Sequence, residues 1–284
     1  MVDAEPLDLD SLPASPETLL AFQALIADEA SGAKEVAALM SHDPALAATV
    51  LALVNSAFYR LPEITDLKIA VAYLGLEKME RIIIAATVVN AFPQVSAKQL
   101  HLHWRRAYLN ALMSSHLVHS RINYLSSSQA WTFGLLHDVG SLVAMVLEPR
   151  RAFAIATYRE IHKCLLEDAE AGLGLMPSPL YGAMLCRGWR LPASVEAVCA
   201  GYRQRRPPPW ADEEATGLLP YVRASSRLAS LVLDDLNEGA TARAKSDVVH
   251  ALGCDPDEVD ELIGDARDLL SVVDDDLRST LRRV

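Results

Sequence analysis

The chain has 284 residues, 51% of them hydrophobic, and a formal net charge of −11, a length that suits one large domain or two modest ones with a real core. Its 13 glycines and 15 prolines exclude collagen-like and disordered compositions, and its acidity argues against general nucleic-acid binding, which depends on Lys and Arg. With only 5 Phe, 4 Trp and 8 Tyr, Ala and Leu carry the hydrophobicity, and they favour helices over sheets.

In chain order, helical punctuation recurs. Ser15-Pro16-Glu17 reads as an N-cap followed by proline at the first helical position, and Asp43-Pro44 repeats the device. Leu46, Val50, Leu53 and Val54 then form one apolar stripe. Gly75 reads as a helix terminator before a second stripe, Met79, Ile82, Ile83 and Ala86. Trp104, Tyr108, Ala111 and Leu112 open a longer helix, and Ser178-Pro179 and Leu191-Pro192 mark two more helix starts. Period-two patterning of strand length is missing, so the fold class is all-α. Apolar stretches such as Ile82 to Val89 fall short of the ~18 residues of a membrane span. The N-terminus Met1-Val2-Asp3-Ala4-Glu5 lacks the basic start of a signal peptide. Cys164, Cys186, Cys199 and Cys254 form no Cys-x-x-Cys pair. A cytoplasmic protein with no membrane partner is expected.

Three regions follow: residues 1–97, residues 98–236, and an acidic extension over 237–284 opened by Asn237-Glu238-Gly239. From Asp255 onward there are ten acids and four arginines, interleaved with Val259, Leu262, Ile263, Leu269 and Val272. Those anchors predict docked helices that either cover the rest of the chain or steer a basic partner.

The string with most chemical content is Gly134-Leu135-Leu136-His137-Asp138-Val139-Gly140. An imidazole and a carboxylate side by side can ligate one divalent metal, but a site needs about two more ligands. The other reading is a buried, hydrogen-bonded histidine. His42-Asp43 is also a His-Asp pair, yet Asp43 is accounted for as a helix cap. His116 and His119 lie three apart among serines, as on a helix surface. Arg203, Arg205 and Arg206 precede Pro207-Pro208-Pro209 and read as a solvated connector.

Taken in order, the motifs resemble the HDOD family of bacterial signalling proteins. They are Leu12-Pro13 with Pro16-Glu17, Asp43-Pro44-Ala45-Leu46, Asn55-Ser56-Ala57-Phe58-Tyr59, Leu74-Gly75-Leu76, the His137-Asp138 string and Trp189-Arg190-Leu191-Pro192. The resemblance implies a two-lobed, multi-helical bundle whose second lobe is similar to HD-domain metal-dependent phosphohydrolases, with a regulatory, non-catalytic role. The site departs from that enzyme pattern. Arg106 stands where a first His is expected, Ser178 and Tyr202 replace further histidines, and Ser225-Ser226 replaces a late Ala-Asp. His137 and Asp138 alone remain, too few for a hydrolytic centre.

These residues predict a degenerate site without metal or cofactor, in which Arg106 supplies the missing cation through a direct contact with Asp138. The alternative is an Arg106 turned to solvent beside Arg105. The expected function is a scaffold that contacts another signalling protein and takes, at most, a small anionic ligand. The rival is a phosphohydrolase acting on nucleotides or cyclic dinucleotides, with His103, His116 or His119 as replacement ligands.

Overall fold

A computed structural model describes residues 17–26, 32–41, 43–55 and 64–281. Among them the chain forms fifteen α-helices and no strand. The first five are α1 (Glu17–Ile26), α2 (Ala33–Ser41), α3 (Pro44–Val54), α4 (Leu67–Leu74) and α5 (Leu76–Asn90). Then come α6 (Ala97–Arg121), α7 (Ser127–Leu136), α8 (Val139–Leu147), α9 (Arg151–His162) and α10 (Leu166–Gly172). The last five are α11 (Ser178–Gly188), α12 (Ala193–Gly201), α13 (Glu213–Leu233), α14 (Glu238–Leu252) and α15 (Pro256–Leu281).

Asp43 caps α3 where the sequence places it, accepting from the Leu46 amide at 3.0 Å. Asn237, in the turn that opens the acidic extension, caps α14 by accepting from the Ala240 amide at 2.8 Å. Gly75 ends α4 with φ 78°. Asn55 closes α3 by bonding Leu51 O and both backbone groups of Ile64. The Leu12-Pro13 and Ser15-Pro16 motifs, His42 and the Ser56-Ala57-Phe58-Tyr59 string lie outside the described residues.

Two apolar cores share α5. Met79, Ile82, Ile83 and Ala86 face a first core with Phe22, Met40, Val50 and Val71. Ile84, Ala85 and Val88 face a second, larger core. A helix apolar on every side is stable only when buried on every side, and residues 82–88 are all buried.

The second core is built around α6, α7, α8, α11 and α13. Residues 127–147 correct the sequence estimate of apolar length: that stretch is long and apolar enough to cross a membrane, but 78% of it is buried inside the protein. Two glycines around its central break explain the burial. A Cβ on Gly134 would come within 2.7 Å of the Ala111 Cα on α6, and one on Gly140 within 1.9 Å of the Ser178 carbonyl on α11. Only glycine lets both neighbours approach so closely.

The acidic extension belongs to this core. Val259, Leu262, Ile263, Ala266 and Val273 form one buried stripe of α15. Its acids meet bases of α6: Asp274 takes Arg105 in two bonds of 2.6 and 2.9 Å, Glu258 takes Arg121, and Asp265 lies 3.3 Å from His116. Of the two roles expected for these helices, the packing corresponds to the covering one.

Candidate functional site

His137 and Asp138 occupy the break between α7 and α8, both buried. The His137 Nδ1–H donates to the Gly134 carbonyl at 2.7 Å, which fixes the tautomer and leaves Nε2 as an acceptor. That Nε2 faces the Asn110 amide at 3.4 Å, and Tyr202 packs edge-on to the ring with centroids 4.8 Å apart. Burial depresses the His137 pKa to about 4, against the opposing pull of Asp138. The imidazole is therefore neutral at pH 7.

Asp138 is held on several sides. The Ser141 hydroxyl lies 2.8 Å from both carboxylate oxygens, the Tyr202 hydroxyl donates at 2.9 Å, and Arg203 Nη2 lies 3.7 Å away. Burial pushes the carboxyl pKa up, but Arg203 leads the opposing influences and holds it below its ordinary value. With both nearby imidazoles neutral at pH 7, Arg203 is the effective cation.

Arg203 corrects two expectations from the sequence. It is no solvated connector: its side chain is 12% exposed and turned inward, while Arg205 and Arg206 are exposed. It also takes the place assigned to Arg106. Its guanidinium binds Glu170 at 2.6 Å, the Ser178 hydroxyl at 3.1 Å and the Tyr202 phenol oxygen at 2.7 Å. The loop after α12 is pinned for this purpose by Arg223, which donates to the carbonyls of Tyr202 and Arg205.

Arg106 makes no contact with Asp138 and does not turn to solvent. It binds Asp234 and, at 3.2 Å, the Ser230 hydroxyl, and Arg159 reaches the same Asp234 at 2.8 Å. The reason is position: Arg106 lies one turn beyond His103 on α6, opposite the end of α13 where Ser230 and Asp234 stand.

Ser178 and Tyr202, read as replaced histidines, both join the Arg203 network. Ser226 lines the cavity beside Arg227 without reaching the His-Asp pair through any described bond. His103 lines the same cavity, whereas His116 and His119 are exposed on the far side of α6.

Glu170, which the sequence reading missed, organises the site. It is 1% exposed and accepts from Arg151 at 2.7 Å, from Arg203, and from both the amide and the hydroxyl of Ser178. Two guanidiniums, those of Arg151 and Arg203, flank this enclosed carboxylate.

These residues do not fit the metal ion implied by an HD-type site. Around Asp138 the neighbouring groups are a phenol, a serine hydroxyl and a guanidinium, and His137 Nε2 meets an amide donor. Among the described residues, no group of three or more His, Cys, Asp or Glu is placed to hold a metal. Charge balance comes from Arg203 instead.

A family model for the HDOD domain matches residues 12–204. Among solved structures, the chain is similar to an HDOD domain protein of unknown function from Geobacter sulfurreducens, with 21% identity and TM-score 0.69, covering 93% of each chain. It is also similar to a candidate phosphohydrolase from Shewanella amazonensis SB2B, with 23% identity and TM-score 0.64, covering 93% of this chain and 96% of that one. A candidate signal transduction protein from Marinobacter aquaeolei VT8 matches at 20% identity and TM-score 0.63, over 96% of this chain and 59% of that one. No curated protein gives a significant match.

Proposed function

The chain belongs to the HDOD family, and from that premise we propose that it is a non-catalytic regulatory module of bacterial signal transduction. It works in the cytoplasm by contact with another signalling protein, and uses neither cofactor, nucleic acid nor membrane. The observation that carries this reading is Arg203, whose guanidinium lies between Asp138 and Glu170. A hydrolytic metal centre needs about three protein ligands and an open position for water. Here the acids are committed to an arginine, and the imidazole to a carbonyl and an amide.

The competing reading is a metal-dependent phosphohydrolase acting on nucleotides or cyclic dinucleotides. The likeness to a candidate phosphohydrolase supports it at the level of fold, as does the neutral His103 on the same cavity. Elemental analysis of the purified chain, with a hydrolysis screen of both substrate classes in Mn²⁺, Mg²⁺ and Fe²⁺, separates the two. The scaffold reading expects substoichiometric metal and no turnover. Turnover abolished by His137→Ala would overturn it.

A further inference from the structure

A cavity of about 870 Å³ opens over the His-Asp pair between α6, α9 and the end of α13, a volume typical of small-molecule pockets. Its polar floor holds one unsatisfied group. His103 is 8% exposed, and its Nε2 has no hydrogen-bond partner, a cost that a buried polar atom carries until something meets it.

The surplus binding capacity around this atom is cationic. Arg106 and Arg159 share the single carboxylate of Asp234. A guanidinium has five N–H donors, and these two arginines spend theirs on Asp234, the Ser230 hydroxyl and the Cys164 carbonyl, so donors remain on both. The acids that line the cavity wall have no such surplus. Glu170 takes two arginines, Glu167 is bound by Arg227 at 2.6 Å, and Asp138 faces Arg203. At the exposed rim Lys98 and Glu160 carry opposite charges, and Lys163 is paired with Asp235 at 2.6 Å. The remaining wall is apolar: Met145, Ile155, Leu166 and Leu233 line it, with exposed Phe153 and Leu102 at its edge.

We propose that this cavity binds a small organic anion with an apolar body, its charge held by Arg106 and Arg159 and its polar edge by His103. Phe153 and Leu102 close over the apolar part. The assignment rests on the reading of the chain as a binding module, and it supplies the chemical class of signal that would bias its contacts. Phosphate monoesters and carboxylates share the required charge.

Isothermal titration calorimetry of the full chain tests this with phenyl phosphate, benzoate, inorganic phosphate and benzyl alcohol. Saturable binding of phenyl phosphate or benzoate is expected, at least about tenfold tighter than inorganic phosphate because a ring is buried, with none for benzyl alcohol. Whichever of the two ring-bearing anions binds more tightly identifies the acid group. Arg159→Gln and Phe153→Ser should each weaken binding about tenfold. Phe153 is 78% exposed, so its variant keeps the test valid should Arg159→Gln fail to fold. No saturable binding by either ring-bearing anion overturns the proposal, and so does binding that both variants leave unchanged. Inorganic phosphate binding as tightly as phenyl phosphate overturns its apolar half. Release of phenol from bound phenyl phosphate would instead sink the non-catalytic reading and leave the pocket assignment standing.

Discussion

The two cores that share α5 are made of different materials. Among the described residues up to Ala86, every buried side chain is apolar. The second core encloses His103, His137, Asp138, Arg151, Glu170, Arg223 and Arg227 within the same kind of helical packing. Burying charge is expensive unless each group is paired and hydrogen-bonded. A fold that could be closed with apolar side chains alone, as the first core is, has kept an ionic interior in the second. The site lies where that expense is concentrated, and the first core is the internal control for it.

The sharpest way to break the contrast is to remove the cation. Arg203→Met should cost about 3–5 kcal/mol in urea unfolding at pH 7, because it strands Asp138 and leaves Glu170 with one guanidinium. Arg203→Lys should recover only part of the loss, since an ammonium cannot reach Glu170, Ser178 and Tyr202 together. A loss under about 1 kcal/mol for Arg203→Met would show that the acids do not depend on it. In the first core, Met79→Ala should cost about 3 kcal/mol through a cavity alone. Its cost should be the same at pH 5 and pH 7, whereas that of Arg203→Met should not.

The first core and the caps could be read from the sequence because their causes are local. Asp43, Gly75 and Asn55 act on backbone within a few residues, or nine for Asn55 and Ile64. The His137-Asp138 pair stood out for the same reason, bracketed by two glycines. Arg203 and Glu170 did not, because their roles depend on distant partners. Arg203 sits in a run of arginines and prolines, 65 residues beyond Asp138, and Glu170 sits among the acids of α10. The sequence spacing places Arg106 beside Asp138, whereas in the fold Arg203 lies there and Arg106 pairs with Asp234. His103, Arg106, Asn110 and Ser114 recur at steps of three and four along α6, a polar stripe on a mostly buried helix. Three of those four are buried, and Ser114 donates to Asn110 at 3.1 Å.

Acid should then weaken the second core selectively. The folded-state pKa values of His103 and His137 are depressed to about 4, chiefly by burial. Between the ordinary value near 6.5 and pH 4, the unfolded chain takes up protons that the folded chain refuses. Stability is therefore full above pH 6.5 and falls as the pH drops through that window, by about 2 kcal/mol per histidine at pH 5. Asp138 adds to the same trend lower down, because its carboxyl is held below its ordinary value and must be protonated in strong acid. Urea titrations of the wild type and His137→Asn at pH 7 and pH 5 read the difference directly. An unchanged slope in the variant would show that the imidazole titrates normally in the fold.

The smallest effect belongs to the charges outside the second core. Arg105 and Asp274 form a two-bond pair between α6 and α15, yet their side chains remain 28% and 31% exposed. Water screens such a pair, and ordering both side chains offsets much of the attraction, so Asp274→Asn should cost at most about 1 kcal/mol. Added salt should narrow the gap between wild type and variant, whereas the Arg203→Met loss, with its charges enclosed, should persist at high ionic strength. A large, salt-resistant loss at Asp274 would mean that the ionic interior extends into α15, and that the acidic extension belongs to the site as well as to the core.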